Sequence, residues 1–414
     1  MSCRITHIFV SLFLVTINFY SAIANDTLTI DAVCCTPQKY SNSIISICEK
    51  IDLNSTHRDV SLYTINQNLN IEKKLNLDIN DTDIWRSIRV DNSIFLLGQS
   101  ELGCLDSYRY SLIDYKQKSK KRYCDKSTLS FPYEAFKQTV VLPDNSLFFP
   151  ILSEENNNTI VKTLHFDKNA FFEISKFNEY AGYQPIQVEV SGNYITLFLR
   201  SKSEPNNSAF IVYRLDSDGK IKIVNIYNES KRRITYMKFI QNTIYAVSKN
   251  KDIAKPLTYI REINVETNVT QEYAYESKTF LPAYIKYVHN KLKIYGFDIT
   301  EDGGILLSSI LTDDNRTFTY KNYSKVYTET YPLLVQNHER FGFILPDTPS
   351  SFILFDEEQE VYTKVAIISP RVHYIVAPSM LNIKENMFMF YHIGIDKEKR
   401  IKAVFKKIGN FTPQ

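Results

Sequence analysis

At 414 residues, with 44% hydrophobic and 13% aromatic side chains, the chain is long enough to bury a sizeable core. Its 28 Tyr and 26 Phe favour strands over helices, because aromatic side chains fit a pleated, half-buried surface. Forty-nine basic residues against 46 acidic ones leave a net charge of +3, which argues against a nucleic-acid binder or a surface that is acid-seeking as a whole.

The first 24 residues read as a secretory signal peptide. Arg4 supplies a basic start, an apolar run extends from Ile8 to Tyr20, and Ala22-Ile23-Ala24 is a small-residue cleavage site. Cleavage there predicts a mature domain of residues 25–414 with 48 basic and 46 acidic side chains. No later stretch approaches eighteen uninterrupted apolar residues, so the expectation is a secreted, extracellular chain without a membrane span. Ten N-x-Ser/Thr sequons point the same way, at Asn25, Asn54, Asn80, Asn157, Asn206, Asn228, Asn268, Asn315, Asn322 and Asn410. The mature cysteines are Cys34, Cys35, Cys48, Cys104 and Cys124. In an oxidising compartment Cys104 is expected to bond Cys124, and Cys48 to bond Cys34 or Cys35, leaving one thiol over. Their spacing fits no zinc site.

A figure then recurs along the chain: an apolar run, a short polar turn pivoting on Asn, and a second apolar run. It is clearest at Ile88-Arg89-Val90-Asp91-Asn92-Ser93-Ile94-Phe95-Leu96-Leu97-Gly98. The pivots fall at Asn42, Asn92, Asn145, Asn193, Asn242, Asn290, Asn337 and Asn386, separated by 50, 53, 48, 49, 48, 47 and 49 residues. A fixed period of this size with two strands around each tight turn predicts an all-β fold, a single β-propeller of four-stranded antiparallel blades. Asn is the expected pivot because hairpin turns demand positive φ, which strains Asn less than other non-glycine residues.

Calling the strand before each pivot A and the one after it B, two further strands C and D follow. In the fourth unit the strands are 185–190, 194–201, 209–216 and 220–227, with Asp216-Ser217-Asp218-Gly219 as the C–D hairpin signal. The fifth unit places C at 258–265 and D at 269–275, and the sixth places them at 305–312 and 317–323. The last unit ends after strand C, at 400–408. The alternating segment Thr27-Leu28-Thr29-Ile30-Asp31-Ala32-Val33 is expected to supply its missing D strand, which removes an exposed edge. This gives eight blades. The weak strand A at Pro37-Gln38-Lys39 leaves seven blades with an irregular N-terminal segment as the alternative. The charged stretch Asp114–Lys121 is read as a link between C and D of the second blade. Over almost the whole mature chain the sequence thus resembles β-propeller repeat proteins in general, without the signature of any one family; its 11 glycines are too few for the glycine-marked kelch and WD40 blades.

Antiparallel order puts A–B and C–D turns at one end of the blades and B–C and D–A links at the other, the end where propellers usually bind ligands. Asn54, Asn80, Asn157, Asn206, Asn228 and Asn322 map to that second end. Lys231-Arg232-Arg233 lies in a D–A link there, and the single Trp85 in the corresponding link of an earlier unit; these four are the candidate ligand-binding residues. Two other basic clusters, 116–122 and 397–407, read as solvated faces. No catalytic residue, metal site or cofactor is indicated: Thr300–Leu306 fails as an Asp box, Asp216–Gly219 lacks a downstream calcium-ligating Glu, no G-x-S-x-G is present, and the six mature histidines lack ligand spacing. The sequence therefore predicts a non-catalytic extracellular module that binds a protein or glycan. The rival expectation is a propeller hydrolase or lactonase with a metal or carboxylate cluster at the channel mouth.

Overall fold

The computed structural model describes residues 27–50, 59–79, 82–100, 103–124, 128–130, 138–155, 158–167, 170–249, 257–276, 280–288, 291–300, 305–312, 318–326, 333–336, 341–345, 351–356, 361–366, 375–384, 387–395 and 400–408. The chain divides into two compact units, one drawn from the chain up to Asp81 and from Glu329 onward, the other from Thr82–Thr328. The signal segment and the sequons Asn25, Asn54, Asn80, Asn157, Asn315 and Asn410 lie outside the described residues, as do the pivots Asn290, Asn337 and Asn386.

The first unit opens with β1 (Thr27–Ile30), β2 (Val33–Cys34), β3 (Gln38–Tyr40), β4 (Ser43–Lys50), β5 (Asp59–Asn66) and β6 (Ile71–Asn76). Both β2 and β3 pair with β4, followed by β5 and β6. Strand A of this first sheet is thus present but split, because Pro37 between its halves has no amide to give a ladder.

The second unit contains five sheets in succession. The second sheet of the chain is β7 (Thr82–Val90), β8 (Ser93–Ser100), β9 (Leu105–Ser111) and β10 (Gln117–Tyr123). The third is β11 (Thr128–Ser130) and β12 (Val140–Val141), both paired to β13 (Leu147–Glu155), then β14 (Asn158–Phe166) and β15 (Phe171–Phe177). The fourth is β16 (Tyr183–Ser191), β17 (Tyr194–Ser201), β18 (Ser208–Leu215) and β19 (Ile221–Glu229). The fifth is β20 (Arg233–Ile240), β21 (Thr243–Lys249), β22 (Leu257–Asn264) and β23 (Thr270–Glu276). The sixth is β24 (Leu281–Val288), β25 (Lys291–Ile299), β26 (Ile305–Thr312) and β27 (Phe318–Val326).

The remaining strands belong to the first unit: β28 (Leu333–Gln336), β29 (Phe341–Leu345), β30 (Ser351–Asp356) and β31 (Val361–Ala366), then β32 (Ile375–Lys384), β33 (Met387–Ile395) and β34 (Ile401–Ile408). The last sheet runs β1-β34-β33-β32, so the N-terminal strand is its outermost member, with Thr27 opposite Lys406 and Ile30 opposite Ala403. Eight antiparallel sheets result among the described residues. One 3-10 turn, Asn178–Tyr180, is the only helical element there.

Two sequence expectations need correction. Asp114–Lys121 is a link only as far as Lys116, since strand D of the second sheet begins at Gln117. As the outermost strand, β10 has no following sheet strand among the described residues and tolerates charge along its length. Positive φ also does not rest on the pivot asparagines alone. It falls on the preceding residue at Ser41, Asp91 and Gly192, on both residues at Gln241-Asn242, and on the asparagine at Asn145. The C–D turn of the fourth sheet is as the sequence implies: the Asp216 amide bonds the Lys220 carbonyl at 2.8 Å, and Gly219 takes φ +77°.

Burial explains the apolar runs. In β17 the five residues Ile195–Leu199 are all buried, because an inner strand is covered on both faces by neighbouring sheets. Each hydrophobic cluster draws on two consecutive sheets: Phe95 and Leu97 pack with Phe149 and Phe166, Phe148 and Leu152 with Leu197 and Tyr213, Phe210 and Val212 with Met237 and Phe239, and Val247 and Ile260 with Ile285 and Ile294. In the first unit Ile30 and Cys34 pack with Met389, Tyr391 and Phe405.

A second repeat is superimposed on the first. Strand A carries a register shift between Ile84 and Arg86, Pro185 and Gln187, Ile234 and Tyr236, and Pro282 and Tyr284. The extra residue is Trp85, Ile186, Thr235 or Ala283, each seven positions before its pivot. Bulges of this kind bend and twist the first strand of each sheet. Side chains near them reach the next sheet at the pitch of the repeat. Gln138 donates to the Ile186 carbonyl (2.5 Å) and accepts from the Val188 amide (3.0 Å). Gln187 donates to the Met237 carbonyl (3.1 Å), and Glu189 accepts from the Phe239 amide and from Lys238. These bonds satisfy backbone groups that a first strand would otherwise leave without a ladder partner.

Candidate functional site

The link between β19 and β20 turns sharply because the Lys231 amide donates to Glu229 Oε1 at 2.8 Å. Arg232 then folds down onto the fifth sheet. Its guanidinium lies 3.7 Å from the Tyr259 ring centroid and pairs with Glu272 at 2.8 Å. Arg261 completes the group, pairing with Glu229 at 2.8 Å and Glu272 at 3.0 Å. Burial opposes the Glu272 charge, but hydrogen bonds from Arg232 and Arg261 outweigh it and hold the carboxyl below the ordinary carboxylate range. Arg232 is therefore a clamp between β19 and the fifth sheet, with its charge already balanced.

Lys231 and Arg233 remain exposed, and no partner for either side-chain charge is seen among the described residues. Arg233 opens β20 directly opposite Lys249 on β21. Like charges facing each other across an antiparallel pair destabilise it. Burial depresses the Lys249 ammonium, and Asp298 only partly opposes this. From the fourth sheet Arg200 joins them: it donates to the Ile234 carbonyl, rests 5.3 Å from the Phe198 ring centroid, and leaves its buried Nε without a partner among the described residues. Burial lowers the Arg200 pKa and the neighbouring Arg233 charge lowers it further. The result is a basic corner of Arg200, Lys231, Arg233 and Lys249 at the B–C and D–A end of two adjacent sheets. Sequence reading missed Arg200 and Lys249, which end strands B in separate repeats; only the register shows that they meet Arg233.

Trp85 is not in a link, as the sequence suggested, but inside β7 as the extra residue of its bulge, half-buried against the cluster of Ile88, Leu97 and Phe149. A Trp at a bulge stands off the ladder and fills space between sheets. Cys34 is bonded to Cys48 across β2 and β4, and Cys104 to Cys124 across the ends of β9 and β10, while Cys35 takes part in neither disulfide. Among the sequons, Asn206 lies in the B–C link of the fourth sheet, Asn228 on β19, Asn268 in the C–D turn of the fifth and Asn322 within β27.

One polar trio has the residue types of a hydrolase. His165 Nε2 lies 2.7 Å from Ser146 Oγ, and Ser146 Oγ lies 2.5 Å from Asp144 Oδ1. Its order is wrong for nucleophile activation, which needs the carboxylate behind the histidine rather than on the serine. Asp144 also accepts from the Ser146 amide at 3.0 Å, so the trio braces the third A–B turn. Burial holds the His165 pKa below the usual value near 6.5, against the pull of Asp144 and Asp167. A depressed folded pKa means that the unfolded chain binds the proton better. The stability from neutral His165 is complete above about pH 6.5 and is lost progressively as the pH falls below it. Urea midpoints measured from pH 7.5 to 5 are expected to decline for the wild type and to decline less steeply for His165→Gln. Parallel curves would mean that His165 does not contribute.

No protein-family model matches the sequence, and no curated protein matches it. Solved structures do share the fold. The Dos1 propeller aligns with TM-score 0.53 at 9% identity, covering 94% of this chain and 95% of that one. The WD40 domain of SCAP from fission yeast aligns with TM-score 0.50 at 10% identity, covering 92% and 97%. Prolyl oligopeptidase B from Galerina marginata, bound to a 25mer macrocyclization substrate, aligns with TM-score 0.50 at 9% identity, and this chain spans 56% of its length. At such identities the likeness shows the fold alone: the chain is similar to β-propellers and has their four-stranded antiparallel blades.

Proposed function

We propose that residues 25–414 act as a secreted, glycosylated, non-catalytic propeller domain that binds an acidic extracellular partner through the corner of Arg200, Lys231, Arg233 and Lys249. The observation that carries this reading is the like-charged register pair Arg233/Lys249 with Arg200 behind it. Three or four cations held close together lower the stability of the sheets that bear them, and a bound carboxylate or sulfate relieves that repulsion. The two disulfides agree with an oxidising compartment.

The test uses the purified secreted chain on immobilised heparin, with neutral dextran as the reference. The expected result is salt-sensitive retention that falls at least tenfold, about 1.4 kcal/mol, in the double variant Lys231→Glu, Arg233→Glu. Charge reversal at Lys120 and Lys121 on β10 is the control, because that strand is equally basic but lies in a different sheet. Loss of retention in the β10 variant alone, or equal retention of all chains, would overturn the assignment to this corner. Capture from extracellular fluid followed by mass spectrometry then identifies an acidic protein partner.

A further inference from the structure

The outermost strand of the fourth sheet is unusual among the outer strands of its unit. Among the described residues β19 has no further strand beyond it, and its sequence from Ile223 to Asn228 contains no charge. Ile223 is 40% exposed, Val224 36% and Ile226 40%, and Val269 in the adjoining turn of the fifth sheet is 49% exposed. An uncovered apolar edge of this length is a template for pairing with another chain, and natural sheets block such edges with charge, proline or cover. β10 blocks its own with Lys118, Lys120, Lys121 and Arg122. On β19 the two charged residues lie at the ends, and Glu229 is buried in its pair with Arg261.

What β19 has instead is a sequon on each side. Asn228-Glu229-Ser230 closes the strand, and Asn268-Val269-Thr270 lies in the neighbouring C–D turn. Ile226 pairs with Ile211 and Asn228 with Ala209, so Asn228 shares a face with Ile226 about 7 Å along the strand. On this face Asn228 Oδ1 accepts from the Tyr180 hydroxyl at 2.8 Å. Tyr227 points to the opposite face, and its hydroxyl donates to Asn268 Oδ1 at 2.7 Å. Both asparagines are exposed. In each, the carboxamide oxygen is pinned by a tyrosine, and Nδ2, the atom that carries a sugar, has no partner among the described residues.

We propose that N-linked glycans on Asn228 and Asn268 stand on the two sides of β19 and cover its apolar edge, so that two copies of the chain cannot pair through it. The glycans are bulky and solubilising, and they do here what lysines do on β10. This inference rests on the reading that the chain is secreted.

The experiment expresses the full chain through a secretory pathway, maps sugar occupancy by peptide mass spectrometry, and measures mass in solution by light scattering. Ser230→Ala with Thr270→Ala removes both sequons while leaving the Tyr180 and Tyr227 hydrogen bonds in place; Ser230→Thr with Thr270→Ser keeps them and controls for the substitutions. The expected result is occupancy at both sites, with at least a tenfold rise in the associated fraction for the alanine pair, reversed by adding Ile226→Lys. If no sequon on the chain carries sugar, the secretion reading fails and the proposal with it. If other sequons are occupied but Asn228 and Asn268 are bare, or if the alanine pair associates no more than the control, the proposal alone is overturned. Association that Ile226→Lys does not reverse overturns it as well, because the contact would then lie elsewhere.

Discussion

Ile30→Asp is expected to lower the stability of the unit that contains β1 by about 3 kcal/mol or more, whereas Thr29→Asp, one residue away, is expected to change it by less than about 0.5 kcal/mol. The contrast follows from the pleat. Ile30 is buried against a cluster that includes Ile44, Met389 and Phe405, and Thr29 on the other face of the same strand is exposed. A carboxylate at position 30 would be driven into that apolar cluster, and the strand would leave β34 rather than bury the charge. Release of β1 separates the two ends of the chain, exposes the edge of β34, and frees a side of the cluster that includes Cys34. Guanidinium unfolding of the two variants measures the difference, and hydrogen exchange at Val404 and Phe405 shows whether β34 has lost its neighbour. Equal, mild effects would mean that β1 lies against the last sheet without sealing it.

The position of β1 was legible because two independent patterns agree: an alternating segment with no pivot of its own at one end of the chain, and a repeat lacking its D strand at the other. The B and C strands were legible for a related reason. They are buried on both faces and so read as unbroken apolar runs, as in Ile195–Leu199. The outer strands were harder. Four of the seven residues of β10 are charged, because among the described residues it has a strand on one side only, and from sequence it looked like a link. Strand A hides a different feature. A bulge adds one residue without adding an apolar or polar signature, so Trp85, Ile186, Thr235 and Ala283 have nothing in common as side chains although they occupy the same place. The missed bulge is also why Trp85 was placed in a link. The basic corner was half visible: Lys231-Arg232-Arg233 is contiguous, but Arg232 is neutralised by Glu272 from 40 residues away, and Arg200 and Lys249 enter through register. Charge compensation between distant strands leaves no trace in local composition.

The second large effect is expected at a glycine. Gly98→Ala should destabilise by about 2–3 kcal/mol, more than Gly219→Ala, for which about 1 kcal/mol is expected. Gly219 owes its identity to φ +77° and has open space where a Cβ would go. Gly98 has ordinary strand backbone, but a Cβ there would overlap the Asp83 carbonyl oxygen and sit 2.7 Å from Thr82 Cγ2. The obstacle is backbone just before the bulge at Trp85, and it cannot swing aside as a side chain would. Gly296 repeats the arrangement in the sixth sheet, where a Cβ would overlap the Leu281 carbonyl and lie 2.8 Å from Phe280 Cζ. Both glycines pair with the residue that precedes a bulge, Ile84 and Pro282 respectively. Yet the same position in the fourth and fifth sheets holds Leu199 opposite Pro185 and Ser248 opposite Ile234. The bulge alone therefore does not demand glycine; what demands it is the closer approach of strand A to strand B in the second and sixth sheets. Denaturant midpoints of Gly98→Ala, Gly296→Ala and Gly219→Ala separate the two causes. A Gly98 variant no weaker than the Gly219 variant would show that strand A yields there, and that the glycine answers to something other than steric fit.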